Sequence, residues 1–367
     1  MGSFLFSPPP ASQRQAYANG EIMTTADAII ALELGHYRLR EQIGGSAYGI
    51  IWRASGPQST RDVAIKLVNQ EQMTRALPAQ RERWTASAHN EIAFLQSLEP
   101  WDERHIVRLL DSGWHDGLPV LALELMGTDL GKYMIDLKSR GEAVPLAQAL
   151  GWIAQINQAL AKVHQYGWRY LDLKPANVLL DPHLNTVKLA DFGTNRELGS
   201  LAPHSYAGTA NWQAPEQFFP ADGGGYATGA HSDYFSLGAM LYFLVAGGMP
   251  LRFCADCGQA YREHHVAGAD LLRGRNGGVV PAALHAAEEQ RFASAVPSEQ
   301  RDAALELLRA LLHIDPARRP RHAIQISRML NAIQGVKPVR GAFDAVDPVL
   351  GMRRPSAING WQAMQVA

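Results

Sequence analysis

The sequence predicts an α+β fold in which a small antiparallel β-sheet region comes first and a larger, mainly helical region follows. Strand-like runs separated by short turns dominate residues 37–126, with one helical run among them. Amphipathic helical runs dominate residues 127–331. Alternation with a period of two indicates strands, and apolar residues spaced three and four apart indicate helices. A chain of 367 residues is long enough to form both regions.

In the first region, "YRLREQIGGSAYGIIWRAS" is typical of two strands around a glycine-containing turn. "RDVAIKLVN", "IVRLLDSGW" and "PVLALELM" predict three further strands. The single helix is predicted over "QRERWTASAHNEIAFLQSL", where Ile92, Leu95 and Leu98 form one apolar stripe.

In the second region, "LAQALGWIAQINQALAKVHQYG" predicts an amphipathic helix, and short strands are expected at 178–180 and 187–190. The apolar run at 234–246 predicts a buried helix, and "SEQRDAALELLRALLHI" predicts another. Residues 1–36 are expected to be a flexible extension, which could hold a short helix over "TTADAIIALEL" and an alternative start at Met23. Residues 332–367 are expected to be a weakly structured tail.

Composition excludes several classes of function. The net charge of −1 argues against a general attraction to nucleic acid or anionic lipid. The longest apolar run is too short and too rich in glycine for a membrane span, and the N-terminus lacks the pattern of a secretory signal. With two cysteines in the whole chain, a reducing compartment is expected, so we predict a cytoplasmic protein.

The two cysteines lie together in "RFCADCGQAYREHH". Cys254, Cys257 and either His264 or His265 could bind zinc. Adjacent histidines seldom share one ion and there is no second cysteine pair, so two reduced thiols in a loop are favoured. The surrounding segment, 252–295, could dock a regulatory partner, as could the two tails, or it could be a solvated loop.

The turn "GGSAYG" could lay backbone N–H groups over phosphate oxygens, since small residues let the main chain approach a ligand. It departs from the pattern G-x-G-x-x-G because Ser46 takes the middle position. A bland hairpin turn explains this motif alone equally well. In "VAIK", Lys66 could reach nucleotide phosphates while Ala64 packs on an adenine, and Glu91 of the predicted helix could orient the lysine. Most such pairs are solvated surface charges.

The segment "YLDLKPANVLL" carries the densest chemistry. Asp172 could accept the proton of an attacking hydroxyl, Lys174 could neutralise charge on a transferring phosphoryl group, and Asn177 could hold a divalent cation. Asp191, in "DFG", supplies a second hard oxygen ligand. Phosphoryl transfer depends mainly on positioning and charge stabilisation, which these groups provide.

Together these motifs resemble the eukaryotic-like serine/threonine protein kinase family, which has bacterial members. The resemblance runs from about Tyr37 to Leu330 and includes "GTANWQAPEQ" and "HIDPARRP". It implies a bilobal protein-kinase-like fold that uses ATP and Mg²⁺, for which Mn²⁺ could substitute, and transfers phosphate to Ser or Thr of protein substrates. It implies catalytic roles for Asp172, Lys174, Lys66 and Glu91, and metal binding by Asn177 and Asp191. The residues implied in nucleotide binding are Ile43, Gly44, Gly45, Ser46, Gly49, Ile51, Ala64, Lys66, Leu123, Glu124, Met126, Asp129 and Leu179.

The resemblance also implies structural roles. Glu216 is expected to pair with Arg319, and Asp233 to cap the backbone of the catalytic loop. A stack of apolar side chains should couple the first helix to the active site. Its expected members are Leu95, Leu109, Tyr170 and Phe192.

One departure concerns regulation. Leu171 stands where the family usually has the arginine that receives a phosphorylated activation-loop residue. The catalytic loop is therefore of the non-RD type, which lacks an arginine directly before the catalytic aspartate. The segment between Gly193 and Ala214 is also short. We therefore expect activity without activation-loop phosphorylation.

Two alternatives to an active protein kinase remain at this stage. A pseudokinase scaffold would commonly lack at least one of the catalytic groups, all of which are present here. A small-molecule kinase of related fold would share the Asp-x4-Asn spacing but would not be expected to carry Lys174 or the "APE" signature with its distant arginine partner.

Overall fold

The computed structural model describes residues 26–57, 61–181, 183–200, 208–221 and 223–335. The first third of the described chain forms a six-stranded antiparallel sheet in the order β1-β2-β3-β4-β6-β5. Its strands are β1 (Ile29–Ala31), β2 (His36–Gly45), β3 (Gly49–Ser55), β4 (Asp62–Val68), β5 (Leu109–His115) and β6 (Leu118–Glu124). Helices α1 (Gln70–Arg75) and α2 (Glu82–Ser97) lie between β4 and β5.

Alternation along β4 explains how the sheet divides its two faces. Val63, Ile65 and Leu67 belong to an apolar cluster on one face, together with residues of β1 and β2. Ala64 and Val68 belong to the main core, which continues through α2 into the helical region. Lys66 lies between them in the same alternation, so its side chain emerges on the face toward the helices.

The rest of the described chain is mainly helical. Its helices are α3 (Leu130–Ser139), α4 (Leu146–Gln165), α5 (Pro215–Phe218), α6 (Ala230–Val245), α7 (Arg252–His264), α8 (Gly268–Arg275), α9 (Ala286–Ser294), α10 (Arg301–Leu311) and α11 (Ala323–Ile333). Two short β-ribbons connect them, β7 (Trp168–Arg169) with β10 (Arg196–Glu197) and β8 (Val178–Asp181) with β9 (Thr186–Leu189). Helix α6 is buried over almost its whole length and packs on α4 and α10, so it is the centre of this lobe. Among the residues described, every helix is too short or too polar to cross a lipid bilayer.

These elements confirm the predicted α+β, two-lobed architecture. The helix expected over "TTADAIIALEL" is wrong, because Ile29–Ala31 pairs with His36–Arg38 as the first strand of the sheet. Ile30 is fully buried while its neighbours are exposed, a period-two pattern that a strand satisfies and a helix does not. The sheet therefore begins before residue 37, inside the extension expected to be flexible. The predictions for Met23, for the rest of that extension and for most of the tail lie outside the described residues.

Segment 252–295 contains helices α7, α8 and α9, so the solvated-loop interpretation of it is wrong. Cys254 and Cys257 lie on the buried face of α7, where burial raises the pKa of both thiols. His264 and His265 are exposed at the end of that helix. No group of three His, Cys, Asp or Glu side chains within the described ranges is placed to hold a metal ion. The cysteines contribute to the core of the helical lobe.

Candidate functional site: a charged cleft between the sheet and the helices

Lys66 of β4 is the centre of a charged triad with Glu91 of α2 and Asp191. Its Nζ atom lies 2.6 Å from Glu91 Oε2 and 2.8 Å from Asp191 Oδ1. The Glu91 side chain is 1% exposed, so solvent screens this ion pair little. Burial alone would lower the pKa of Lys66, but the two carboxylates outweigh burial and raise that pKa above its ordinary value. The lysine is therefore a permanent cation.

The pKa values of the two carboxylates of the triad are shifted in opposite directions. Burial raises the pKa of Glu91 despite the opposing effect of the Lys66 ammonium. Burial also acts to raise the pKa of Asp191, but there the lysine prevails and the net pKa lies below its usual value. The lowered pKa of Asp191 favours the ionised form that a metal ligand requires.

A second cluster surrounds Asp172 in the loop that follows β7. Lys174 Nζ donates to Asp172 Oδ2 at 2.7 Å, and Asn177 Nδ2 donates to the same oxygen at 3.0 Å. Thr209 Oγ1 donates to the other carboxylate oxygen at 2.7 Å and accepts from Lys174 Nζ at 2.8 Å. Two residues of the same loop and one residue 37 positions later in the chain therefore hold the Asp172 carboxylate in a single orientation.

The two clusters are adjacent, because the N–H of Ala190, which precedes Asp191, donates to the carbonyl of Asn177 at 2.9 Å. Burial raises the pKa of Asp172, the Lys174 ammonium lowers it, and the negative charge of Asp191 raises it again. The net result is a carboxyl whose pKa lies above its ordinary value. A buried carboxyl with a raised pKa beside a second, ionised carboxylate is typical of a catalytic site.

The backbone on both sides of the cleft is held in an uncommon conformation. Leu171 and Asp191 have φ values of 64° and 62°, in the left-handed region that costs a residue other than glycine roughly 1–2 kcal/mol. Asp233 of α6 accepts the N–H groups of Tyr170 at 2.9 Å and Leu171 at 2.7 Å, which confirms the predicted cap. Gln217 donates to the Leu171 carbonyl at 2.9 Å. These bonds hold the strained peptide just before Asp172.

The glycine-containing turn between β2 and β3 is closed by Ser46. Its hydroxyl oxygen accepts the N–H groups of Tyr48 at 3.3 Å and Gly49 at 3.2 Å. From α2, the Trp84 indole N–H donates to the Ala47 carbonyl at 2.8 Å, and its ring lies 5.1 Å from that of Tyr48. The serine that departs from the G-x-G-x-x-G pattern thus stabilises the turn internally, and Trp84 ties that turn to the helix that carries Glu91.

The apolar residues predicted for nucleotide binding come together only in part. Ala64 and Leu123 are buried cross-strand partners on β4 and β6. Ile51 pairs with Lys66 across β3 and β4 and packs on the same core. Ile43 is 39% exposed near the end of β2. These residues would form the wall of a cleft beside the triad.

The predicted hinge residues already have partners of their own. Glu124 Oε1 accepts from Lys188 Nζ at 2.5 Å and from the Arg108 backbone N–H at 2.8 Å. Asp129 caps α3 by accepting the Lys132 N–H at 2.9 Å, and it lies beside Leu179 in an isolated β-bridge. Met126 is half-buried between β6 and α3. A role for Asp129 on a ribose stays a prediction.

Two of the implied structural features are present. Of the predicted stack, Tyr170 and Phe192 are fully buried with ring centroids 5.2 Å apart, Leu95 belongs to the same core, and Leu109 packs against that core but is only partly buried. Arg319 Nη1 and Nη2 lie 2.7 and 2.9 Å from the two carboxylate oxygens of Glu216. The predicted ion pair is therefore confirmed as a buried, bidentate contact.

Sequence reasoning missed several residues that support the site. Trp84, Gln217 and His164, whose ring contacts Asp233 at 2.8 Å, act through partners far away in the sequence. Arg169 was also missed. It is 2% exposed and donates to the Ser200 carbonyl at 3.2 Å. For Arg169, the signal available in the sequence was the position of a charged residue within the apolar stretch before Asp172.

Comparison with known proteins agrees with this geometry. A family model described as a protein kinase domain matches residues 37–330. The SNF1-like protein kinase ssp2 of Schizosaccharomyces pombe is 29% identical over 234 residues, which are 63% of this chain and 37% of that protein. The serine/threonine-protein kinase PrkC of Bacillus subtilis is 30% identical over 220 residues, 59% of this chain and 31% of that protein. The chain spans about a third of the length of these relatives.

Proposed function

Because the chain belongs to the protein kinase family, we propose that it transfers the γ-phosphoryl group of Mg·ATP to serine or threonine hydroxyls of protein substrates. The observation that carries the proposal is the adjacency of the Lys66 triad and the Asp172 cluster, joined through Asn177 and Ala190. The names of the relatives, which include a serine/threonine-protein kinase, support the same choice of acceptor. A pseudokinase commonly lacks one of these groups, and all of them are present here.

The residues present fit a divalent cation. Asn177 and Asp191 offer an amide oxygen and an ionised carboxylate, the hard oxygen ligands that Mg²⁺ prefers. Asn177 uses its amide nitrogen on Asp172, which leaves the amide oxygen as the atom suited to a cation. When bound, the cation would neutralise phosphate charge. Mn²⁺ has similar ligand preferences.

The chain's own groups would supply positioning and charge. Asp172 would accept a hydrogen bond from the acceptor hydroxyl and orient it, and Lys174, held 2.7 Å from that carboxylate, would offset the negative charge on the phosphoryl group. Lys66 would hold the phosphates from the other wall of the cleft. Thr209 would border the acceptor, since it already contacts both Asp172 and Lys174.

Transfer of labelled phosphate from ATP to two generic acceptors, one acidic and one basic protein, tests the proposal. We expect Asp172→Asn and Lys66→Met each to lower kcat on the order of 10²–10⁴-fold, the range for loss of a catalytic acid–base or charge-stabilising group. Asp302→Asn, an exposed substitution on α10, is the matched control and should leave transfer unchanged. Equal incorporation by the wild type and both active-site variants would contradict the proposal and favour a scaffold.

We further propose that competence does not depend on activation-loop phosphorylation. Arg169 anchors the start of the activation segment through the Ser200 carbonyl, at 3.2 Å. The β7–β10 pairing and the bond from the Leu198 N–H to the Gly167 carbonyl, 2.8 Å, hold the same stretch by its backbone. These contacts need no phosphoryl group, which supports the expectation drawn from Leu171.

Phosphatase treatment tests this second proposal. We expect treated and untreated protein to differ in kcat by less than about threefold, whereas a missing phosphate clamp would remove much more. A fall of orders of magnitude that autophosphorylation reverses would contradict it. Asp172→Asn protein, which cannot autophosphorylate in the proposed mechanism, controls for phosphate added during expression.

A further inference from the structure

A groove of about 360 Å³ opens next to the catalytic loop. It is formed where α3, the Lys174–Ala176 stretch and the end of α6 approach one another. Its lining residues are Gly131, Met134, Ile135, Lys138, Lys174, Pro175, Ala176, Trp212, Phe243 and Gly248.

The lining is apolar with two cations and, among the described residues that form it, none is acidic. Met134 and Phe243 are buried at its base, and Ile135 is 71% exposed at its edge. Trp212 and Phe243 meet edge to face with ring centroids 5.3 Å apart, which gives the groove a rigid aromatic wall. Such a surface favours an aliphatic or aromatic side chain. It disfavours arginine or lysine, because none of the described lining residues is acidic and the carboxylate beside Lys174, that of Asp172, is already paired with that lysine.

Lys174 connects this groove directly to the chemistry. The same residue lines the groove and donates to Asp172 and Thr209. A polypeptide whose hydroxyl lies at Asp172 would therefore continue into the groove within about four residues, at roughly 3.3–3.6 Å per extended residue. This continuity identifies the occupant as the substrate chain itself.

We propose that the groove binds an apolar side chain of the protein substrate close in sequence to the serine or threonine that is phosphorylated. This inference rests on the proposed kinase function and adds the substrate class: acceptor sites flanked by leucine, methionine or phenylalanine, and not by basic residues. Ile135 and Met134 of α3 are then specificity-determining residues for the reaction.

A peptide series measures this preference. Each peptide carries one serine, and one flanking position at a time, up to four residues on either side, is changed among Leu, Arg, Glu and Ala. We expect kcat/KM to be about tenfold higher for Leu than for Arg at one or two positions, the effect of burying a single aliphatic side chain. The difference should lie mainly in KM, because the contact is made before and during the chemical step.

Ile135→Glu links the preference to the groove, and the exposed site allows this change without disturbing the core. It should lower kcat/KM for the Leu peptide about tenfold and raise that for the Arg peptide, since a carboxylate now faces the arginine. Ile324→Glu is the matched control, because Ile324 is 62% exposed on α11 and outside the groove. It should leave both values unchanged.

The outcomes separate this inference from the proposed function. If the wild type phosphorylates the generic proteins but treats Leu and Arg peptides alike, or if Ile135→Glu leaves their ratio unchanged, the groove assignment is wrong and the kinase assignment stands. If Ile135→Glu raises activity equally on every peptide, a segment of this chain occupies the groove, which also overturns the inference. Failure of the wild type to phosphorylate any acceptor contradicts both.

Discussion

Asp233→Asn is expected to damage both the stability and the activity of this protein, because Asp233 holds the strained peptide before Asp172. The carboxylate accepts the N–H groups of Tyr170 and Leu171 at 2.9 and 2.7 Å and is 1% exposed. An asparagine keeps one acceptor oxygen and presents an NH₂ group to the other N–H. One buried donor therefore loses its partner.

The magnitude follows from these contacts. A hydrogen bond to a charged group contributes about 1.5–3 kcal/mol, and an unsatisfied buried donor costs about 1–3 kcal/mol. Burying a neutral amide in place of a carboxylate offsets part of this cost. We expect the free energy of unfolding to fall by about 2–4 kcal/mol. Leu171, at φ 64°, should then relax toward an ordinary conformation, which displaces Asp172 and lowers kcat by at least tenfold.

Urea denaturation followed by tryptophan fluorescence measures the first quantity, and phosphate transfer to the generic acceptors measures the second. Asp302→Asn is the control, because it makes the same chemical change at an exposed position, where such changes usually stay within about 0.5 kcal/mol. If Asp233→Asn matches that control in both assays, the side chain does not hold the catalytic loop and the reasoning is refuted.

Three further predictions follow from single contacts. Glu216→Gln leaves the fully buried guanidinium of Arg319 without its carboxylate, so the free energy of unfolding should fall by about 3–5 kcal/mol in the same urea assay. A change below about 1 kcal/mol would contradict this expectation. Lys174→Met removes the cation that lowers the Asp172 pKa, so the acid limb of the pH profile of kcat/KM should move to higher pH. If that limb does not move, a group other than Asp172 controls it. Gly193→Ala places a Cβ 2.1 Å from Ser87 Oγ, so it should displace α2 and raise the KM for ATP. The second change Ser87→Gly should lower that KM part of the way back. If it does not, the contact with Ser87 is not the cause of the raised KM.

Local patterns in the sequence were sufficient for most of the elements. The alternation in "RDVAIKLVN" predicts β4, and the stripe of Ile92 and Leu95 predicts α2, because both patterns reflect which side of an element is buried. Helix α6 was predictable for the same reason, as a continuous apolar run of helical length. Short segments could not be predicted from their local pattern. Ile29–Ala31 is too short for its period to be read, and its strand conformation depends on pairing with β2.

Segment 252–295 shows a different limit. Helix α7 has a helical burial pattern, but glycine, cysteine and histidine in that stretch suggested a loop or a metal site. What decides its conformation is packing. A Cβ on Gly258 would lie 2.8 Å from Asn211 Cβ, so the small residue permits close contact between α7 and the Ala210–Trp212 turn. The sequence around Gly258 does not indicate that its contact partner is Asn211, 47 residues earlier in the chain.

The sequence by itself determined the order of the chemical groups: a lysine on a strand, a glutamate on the following helix, then Asp172, Asn177 and Asp191 at set spacings. The residue types and their spacing are read directly from the sequence, so these groups could be recognised without a structure. The tertiary structure alone decided that Lys66 meets Asp191 across 125 residues, that Arg169 contacts Ser200, and that Lys174 connects the cleft to an apolar groove. Such contacts depend on how two lobes pack, and packing is a property of the whole core, to which distant residues contribute together.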